Sequence, residues 1–342
     1  MKTEKDVLNE LAVLNYGMYY AKHKNHDKAE AEKFHRKALE TRAQAAKHGV
    51  VLTTSLKEEA PDSFTQRIKD KISKAPEGIR ILWNEVDSNT IQNLYESGGS
   101  YYDIDSNSVN LNAFGQASWR PEDSIFFYEN GHAMDYNFGR LYNGPDAQKF
   151  KGYDIPYSAK YKNGAFIKSL QKEVNGMIIN AQNVVKDKFN AGDIKWLEEN
   201  GVLKRGDYKL NRKGKIVYAL SKRPLRYSAE FPRTYLKKYF NSSTKRGDRF
   251  ALSDIVSGVT HNSLNFGDGH SKESWKQMYS SQFGLDVGLA TEAFSNMTSA
   301  YITSPGGVKI LEQYLPNSTK MYKQMVKEMS SLVAGANRRK KL

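Results

Sequence analysis

No cysteine occurs among the 342 residues, so no disulfide can staple the fold and burial has to hold it together. The same absence removes thiolate chemistry and leaves His, carboxylate, Tyr or water as the ligands open to a metal ion. Hydrophobic residues make up 39% of the chain and charged residues 26%, with a mean hydropathy of -0.69. That balance folds rather than staying disordered. The length predicts two domains, or one domain elaborated by insertions. No apolar run reaches the roughly 18 residues of a membrane span, so no membrane partner is expected. The start, MKTEKDVLNE, lacks the apolar stretch of a signal peptide, which predicts a chain made without Sec targeting.

Periodicity divides the chain. Val7, Leu8, Leu11 and Leu14, then Ala31, Phe34, Ala38 and Ala45, recur at helical spacing, which predicts two helices joined near His23–Asp27. Pro61 and the turn formers of residues 50–65 predict a hinge. Gly78–Trp83 reads as a strand, Ser88–Ser97 as a short helix and Ser100–Asn112 as strand, turn, strand. Arg120-Pro121-Glu122-Asp123 then starts a helix whose apolar pattern runs to Phe138. Helices are predicted at 164–190 and 192–200, with a short strand at Lys215–Leu220. Ser253-Asp254 starts another helix, 262–270 is a loop, and two more helices cover 287–303 and 306–333. The expected organisation is a helical N-terminal arm (1–60), a sheet and helix (61–142), an insertion (143–250), a C-terminal helical part (251–335) and a basic tail (336–342).

The segment that carries chemistry is Tyr128-Glu129-Asn130-Gly131-His132-Ala133-Met134-Asp135-Tyr136. In H-E-x-x-H metallopeptidases, His at i and i+4 share one helix face and both reach zinc, while the Glu acts as general base. Here Glu129 and His132 keep that register, and Tyr128 occupies the first His position. The segment resembles the H-E-x-G-H-A-x-D stretch of the anthrax lethal-factor-like zincins and of related metallopeptidase domains encoded in phage genomes or bacterial toxins. Thr291-Glu292-Ala293-Phe294 resembles their later E-A-F-A-like motif, and Gly269-His270 through Trp275 is similar to the G-H-x-x-x-Y-W segment of the phage-type relatives.

The resemblance covers residues 76–140 and 251–330. It implies an α+β zincin-like core with a small sheet packed on the helix of Glu129 and His132. It also implies Zn2+ on His132 and Glu292, Glu129 as base, Asp135 fixing His132, and a protein or peptide substrate held in extended form beside the strands at 100–112. His270 is expected to donate to the oxyanion or to supply the missing imidazole. The implied setting is cytoplasmic or virion-associated, or that of a delivered effector.

Tyr128 opens three arrangements, because a phenol binds zinc well only when the ion displaces its proton. Zinc is held by Tyr128, His132 and Glu292; or by His132, Glu292 and His270; or not at all, leaving a pseudopeptidase that binds a partner. Beside these stand plainer readings: Glu129 as a helix-surface carboxylate, His132 as a core histidine, Asp135 as a helix-end acid, and His23, His26, His35 and His261 without chemical roles.

The net charge of +14 is concentrated. Residues 201–250 hold fifteen Lys or Arg against three acids. Lys204, Arg205, Arg212, Lys213, Arg223, Arg226, Arg233, Lys237 and Lys238 are candidates for contacts to a polyanion or nucleic acid, with Tyr208, Tyr218, Tyr227, Phe231, Tyr235, Tyr239 and Phe240 interleaved for stacking. The alternative is a solvated basic face whose aromatics point inward.

Overall fold

The computed structural model describes residues 2–24, 27–57, 60–94, 98–112, 120–121, 123–143, 155–267, 269–275 and 284–335. These are mostly helical, with one three-stranded and one two-stranded sheet, compatible with an α+β class. No described helix is long and apolar enough to cross a membrane. The chain forms two compact units, 1–166 with 290–305 and 319–342, and 167–289 with 306–318. The basic tail at 336–342 lies outside the described residues, as does His26.

In the first unit, α1 (Glu4–His23) and α2 (Lys28–Lys47) form the expected pair. Thr3 and Asp6 close a capping box on α1, and the Asp27 carboxylate receives the Glu30 N–H of α2, so each helix start has one of its free amides answered by a side chain. Val7, Leu11, Ala38, Ala45 and Leu52 make their shared core. The 50–57 stretch, expected as a hinge, is instead tied down. Asn84 accepts the Leu52 N–H and donates to the Val50 carbonyl, Trp83 donates to the Leu52 carbonyl at 2.8 Å, and Asp87 accepts the Thr54 and Ser55 N–H groups.

Those three residues lie on α5 (Glu77–Asn89), which corrects the strand expected at Gly78–Trp83. The apolar run looked like a buried strand, but Pro76 precedes the helix and Ile79, Leu82, Trp83 and Val86 follow one helical face. The helix expected at Ser88–Ser97 is likewise corrected, since β1 (Ile91–Asn93) begins two residues after α5 ends. β2 (Tyr101–Asp103) and β3 (Ser108–Asn110) are the expected hairpin. The sheet order is β1-β3-β2, with β1 parallel to β3 in the register Gln92↔Val109.

α6 (Ser124–Asn143) lies against this sheet. Gln92 of β1 and Asn130 of α6 exchange amide hydrogen bonds, and the Tyr102 and Tyr136 rings lie 5.7 Å apart. The helix starts just after Asp123, whose carboxylate Arg67 grips with two 2.9 Å bonds. It also runs through Gly139, where a Cβ would meet the Ile155 carbonyl oxygen at 2.0 Å. Gly139 is therefore a packing glycine rather than a helix stop.

The second unit contains most of α8 (Ala165–Asn190), then α9 (Ile194–Glu199), β4 (Tyr208–Leu210), β5 (Ile216–Tyr218), α10 (Phe231–Ser243) and α11 (Arg246–Val259). Its core is Val185, Leu197, Val202, Leu203 and Ile216, with Tyr208, Tyr227, Phe231 and Tyr235 packed on it. Those four aromatics, with buried Phe240, are turned inward, which removes them as stacking platforms. Ser253-Asp254, expected as a helix start, sits in the middle of α11 and is fully buried.

α12 (Gly284–Thr303) follows the expected course, but the last helix is divided into α13 (Pro305–Tyr314) and α14 (Pro316–Val333). Pro316 cannot continue α13, and the Glu173 carboxylate accepts the Asn317 and Ser318 N–H groups that begin α14.

Gly131 of α6 faces Ser295 of α12, where a Cβ would lie 2.7 Å from the Ser295 Cα. Gly131→Ala is therefore expected to destabilise the protein by about 1–3 kcal/mol despite the better helix propensity of alanine. Gly176→Ala, at a helical position with open space around it, is expected to stabilise by up to about 1 kcal/mol. Urea midpoints of the two variants against the parent check this pair of opposite signs.

Candidate metal centre

Tyr128, Glu129, His132 and Asp135 lie on α6 and are all buried, as is Glu292 on α12. Tyr128 and His132 are one turn apart, so both project from one face, and their rings meet edge to face at 4.9 Å. That face meets α12 through Gly131. Because no Cβ separates the helices there, the Glu292 carboxylate comes within reach of both side chains. The Tyr128 hydroxyl donates to Glu292 Oε2, and His132 Nε2 stands 3.7 Å from Glu292 Oε1. One carboxylate is thus met by the two residues at the i and i+4 ligand positions of the motif.

His132 is oriented from behind. Its Nδ1 lies 2.9 Å from the Thr291 hydroxyl, the residue preceding Glu292. The same hydroxyl is a hydrogen-bond partner of the Asp135 carboxyl, and Asp135 also accepts from the Ser158 N–H at 2.8 Å and from the Ser158 hydroxyl. With Nδ1–H donating to Thr291, and Thr291 donating to Asp135, His132 presents Nε2 to Glu292 in the tautomer a metal needs. Asp135 was expected to fix His132 directly; in the structure Thr291 stands between them. Sequence reading missed Thr291, Ser158, Gln92 and Asn130. Of these only Thr291 had a signal, its place beside Glu292.

His270 and Asp254 form a pair in the second unit. Asp254 receives the His270 backbone N–H at 2.7 Å, and His270 Nδ1 lies 3.0 Å from each Asp254 carboxylate oxygen. Gly269, at φ +116°, has the Asp254 Oδ1 where its Cβ would be, at 2.6 Å, so only glycine permits the clamp. Trp275 closes it, with its ring 5.5 Å from the imidazole and its indole N–H donating to Ser257. A carboxylate on one imidazole nitrogen is the usual means of orienting a histidine for a ligand or a proton.

An imidazole, a carboxylate and a phenol make a nitrogen and oxygen donor set that zinc accepts, and Tyr128, His132 and Glu292 fit it by their convergence in a buried setting. The phenol proton, now shared with Glu292, has to leave for the oxygen to act as a full ligand. Of the basic candidates, Lys204, Arg205, Arg212, Lys213, Arg223, Arg226, Lys237 and Lys238 are exposed, and half-buried Arg233 lies 3.5 Å from Glu230.

Full burial pushes the Asp135 carboxyl from 3.8 up to about 7, against the lowering effect of its hydrogen bonds to Ser158 and Thr291. Below pH 4 the group is protonated in the folded and the unfolded chain alike. Between about pH 4 and 7 only the unfolded chain releases the proton, so stability falls as pH rises, by on the order of 4 kcal/mol, and then levels off. Asp135→Asn is expected to remove this slope, gaining on the parent between pH 4.5 and 7.5 in chelator-treated protein. Parallel urea midpoints for the two proteins would contradict it. Comparison with protein-family models, with curated proteins and with solved structures yields no match.

Proposed function

We propose that the chain is a zinc-dependent peptide hydrolase of the zincin type. The observation that supports this is the convergence of Tyr128 and His132, at the motif's i and i+4 positions, on the carboxylate of Glu292, with Glu129 buried beside them. His132, Glu292 and the deprotonated Tyr128 would hold the ion. Zinc would supply Lewis acidity toward the peptide carbonyl and the attacking water.

The chain's own groups do the rest. Glu129 takes a proton from water as the oxygen–carbon bond forms, then delivers it to the amide nitrogen as the carbon–nitrogen bond breaks. Thr291 and Asp135 keep His132 in one tautomer throughout. An extended peptide beside the hairpin of β2 and β3 is the proposed substrate.

A second reading has its own support. The Tyr128 hydroxyl bonded directly to Glu292 satisfies that carboxylate without an ion, as expected of a pseudopeptidase that keeps the fold to bind a partner.

Tyr128→His discriminates between them. The metallopeptidase reading predicts stoichiometric zinc in the parent, at least tenfold tighter zinc in Tyr128→His, and cleavage of a mixed peptide library that rises in that variant. Glu129→Gln is expected to keep zinc and lose about 100-fold or more in turnover. Absence of zinc from both the parent and Tyr128→His, by atomic emission, would sink the metallopeptidase reading.

A further inference from the structure

A strongly basic surface belongs to a short meander that the proposed hydrolase chemistry does not use. β4 and β5 pair antiparallel in the register Lys209↔Val217. The chain then turns back, with the Tyr218 N–H donating to the Arg223 carbonyl, the Leu225 N–H donating to the Ile216 carbonyl, and Val217 bridged to Pro224. Residues 204–226 hold nine Lys or Arg and one acid, Asp207, a net +8. All nine are exposed.

The charges gather at both ends of the meander. Arg212, Lys213 and Lys215 occupy the turn between β4 and β5. At the opposite end the Lys222 N–H donates to the Tyr218 carbonyl and Lys222 takes a left-handed φ of +58°, which closes a tight turn over Ala219–Ser221. The Ala219 N–H donates to the Asp207 carbonyl at 2.7 Å, bringing the 204–207 turn alongside. Lys204, Arg205, Lys222 and Arg223 therefore flank one apex. On that apex stands Leu220, 99% exposed. A leucine wholly in water, held out by a rigid turn and surrounded by cations, contributes nothing to this unit's core.

We propose that this meander binds the phosphate backbone of duplex nucleic acid and that Leu220 is an apolar wedge inserted at a base step. A two-stranded ribbon fits a nucleic-acid groove, cations at each end span phosphates along it, and single apolar side chains at ribbon tips unstack and kink the duplex. The charge distribution favours this over an anionic membrane. Nine cations stand on the meander, whereas its exposed apolar side chains are Leu220 and the half-covered Leu210 and Tyr218, which form no broad apolar face. Even a full acyl chain anchors a protein to a membrane only marginally. Tyr208, Tyr227, Phe231 and Tyr235 pack on the unit's core, which leaves Tyr218, 41% exposed, as a single ring on the meander, short of the successive platforms that single-strand stacking uses.

The test uses the full chain and a fluorescein-labelled 20-base-pair DNA duplex, with affinity read by anisotropy from 50 to 200 mM salt. About five phosphate contacts predict a loss of roughly 500-fold over that range. The exposed quadruple variant Lys204→Glu, Arg205→Glu, Lys222→Glu, Arg223→Glu is expected to bind at least 100-fold more weakly at 100 mM salt with an unchanged melting midpoint. Leu220→Ser is expected to keep the salt slope and lose the duplex bend read by energy transfer between end-attached dyes. A flat salt response, or unaltered affinity in the quadruple variant, would overturn the backbone contact, and an unchanged bend in Leu220→Ser would overturn the wedge. Binding to phosphatidylserine vesicles without binding to the duplex would overturn the proposal in favour of a lipid surface.

Discussion

The close approach of α6 and α12 at Gly131 is the constraint on which the site depends. Helices that carry ordinary side chains at their crossing stand too far apart for a short carboxylate to meet a facing imidazole and phenol together. With the Ser295 Cα occupying the space of the absent Cβ, Glu292 reaches both His132 and Tyr128, and Thr291 reaches His132 from the other side. One missing methyl thereby sets two hydrogen-bond relationships and a burial pattern. The sheet reinforces it through the reciprocal amides of Gln92 and Asn130, the residue directly before Gly131.

Much of this was legible from residue patterns. The helix pair at the N-terminus, the hairpin at 100–112, the helix bearing Glu129 and His132, and the facing helix bearing Glu292 all follow from periodicity and capping chemistry. Gly78–Trp83 misled because a short apolar run reads alike as a buried strand or a buried helix. What holds the helix in place is Asn84 and Asp87, polar residues that receive the backbone N–H groups of Leu52, Thr54 and Ser55. Ser253-Asp254 misled for a related reason. Their cap-forming chemistry is used, but on a distant loop: Ser253 accepts the Phe266 N–H and Asp254 that of His270. Local rules assign such side chains to nearby backbone, and only tertiary contact shows otherwise. Thr291 stood in the motif only as the neighbour of Glu292, since a threonine in a helix does not by itself show which imidazole it faces.

The chemistry of the chain is partitioned. The first unit concentrates buried ionisable groups on α6 and α12, where desolvation raises Asp135 and the Tyr128 hydroxyl donates to Glu292. The second unit carries the excess of positive charge on solvated turns, and Tyr208, Tyr227, Phe231 and Tyr235 serve as core. A buried polar cluster and an exposed cationic ribbon answer to different variables, metal and pH for one, salt for the other.

The central claim is that Tyr128, His132 and Glu292 form one zinc site. Calorimetric titration of the chelator-treated full chain with zinc, beside Glu292→Ala, tests it most directly. The account predicts one equivalent bound by the parent and none at comparable affinity in the variant. No stoichiometric binding by the parent, or equal binding by both, would contradict it.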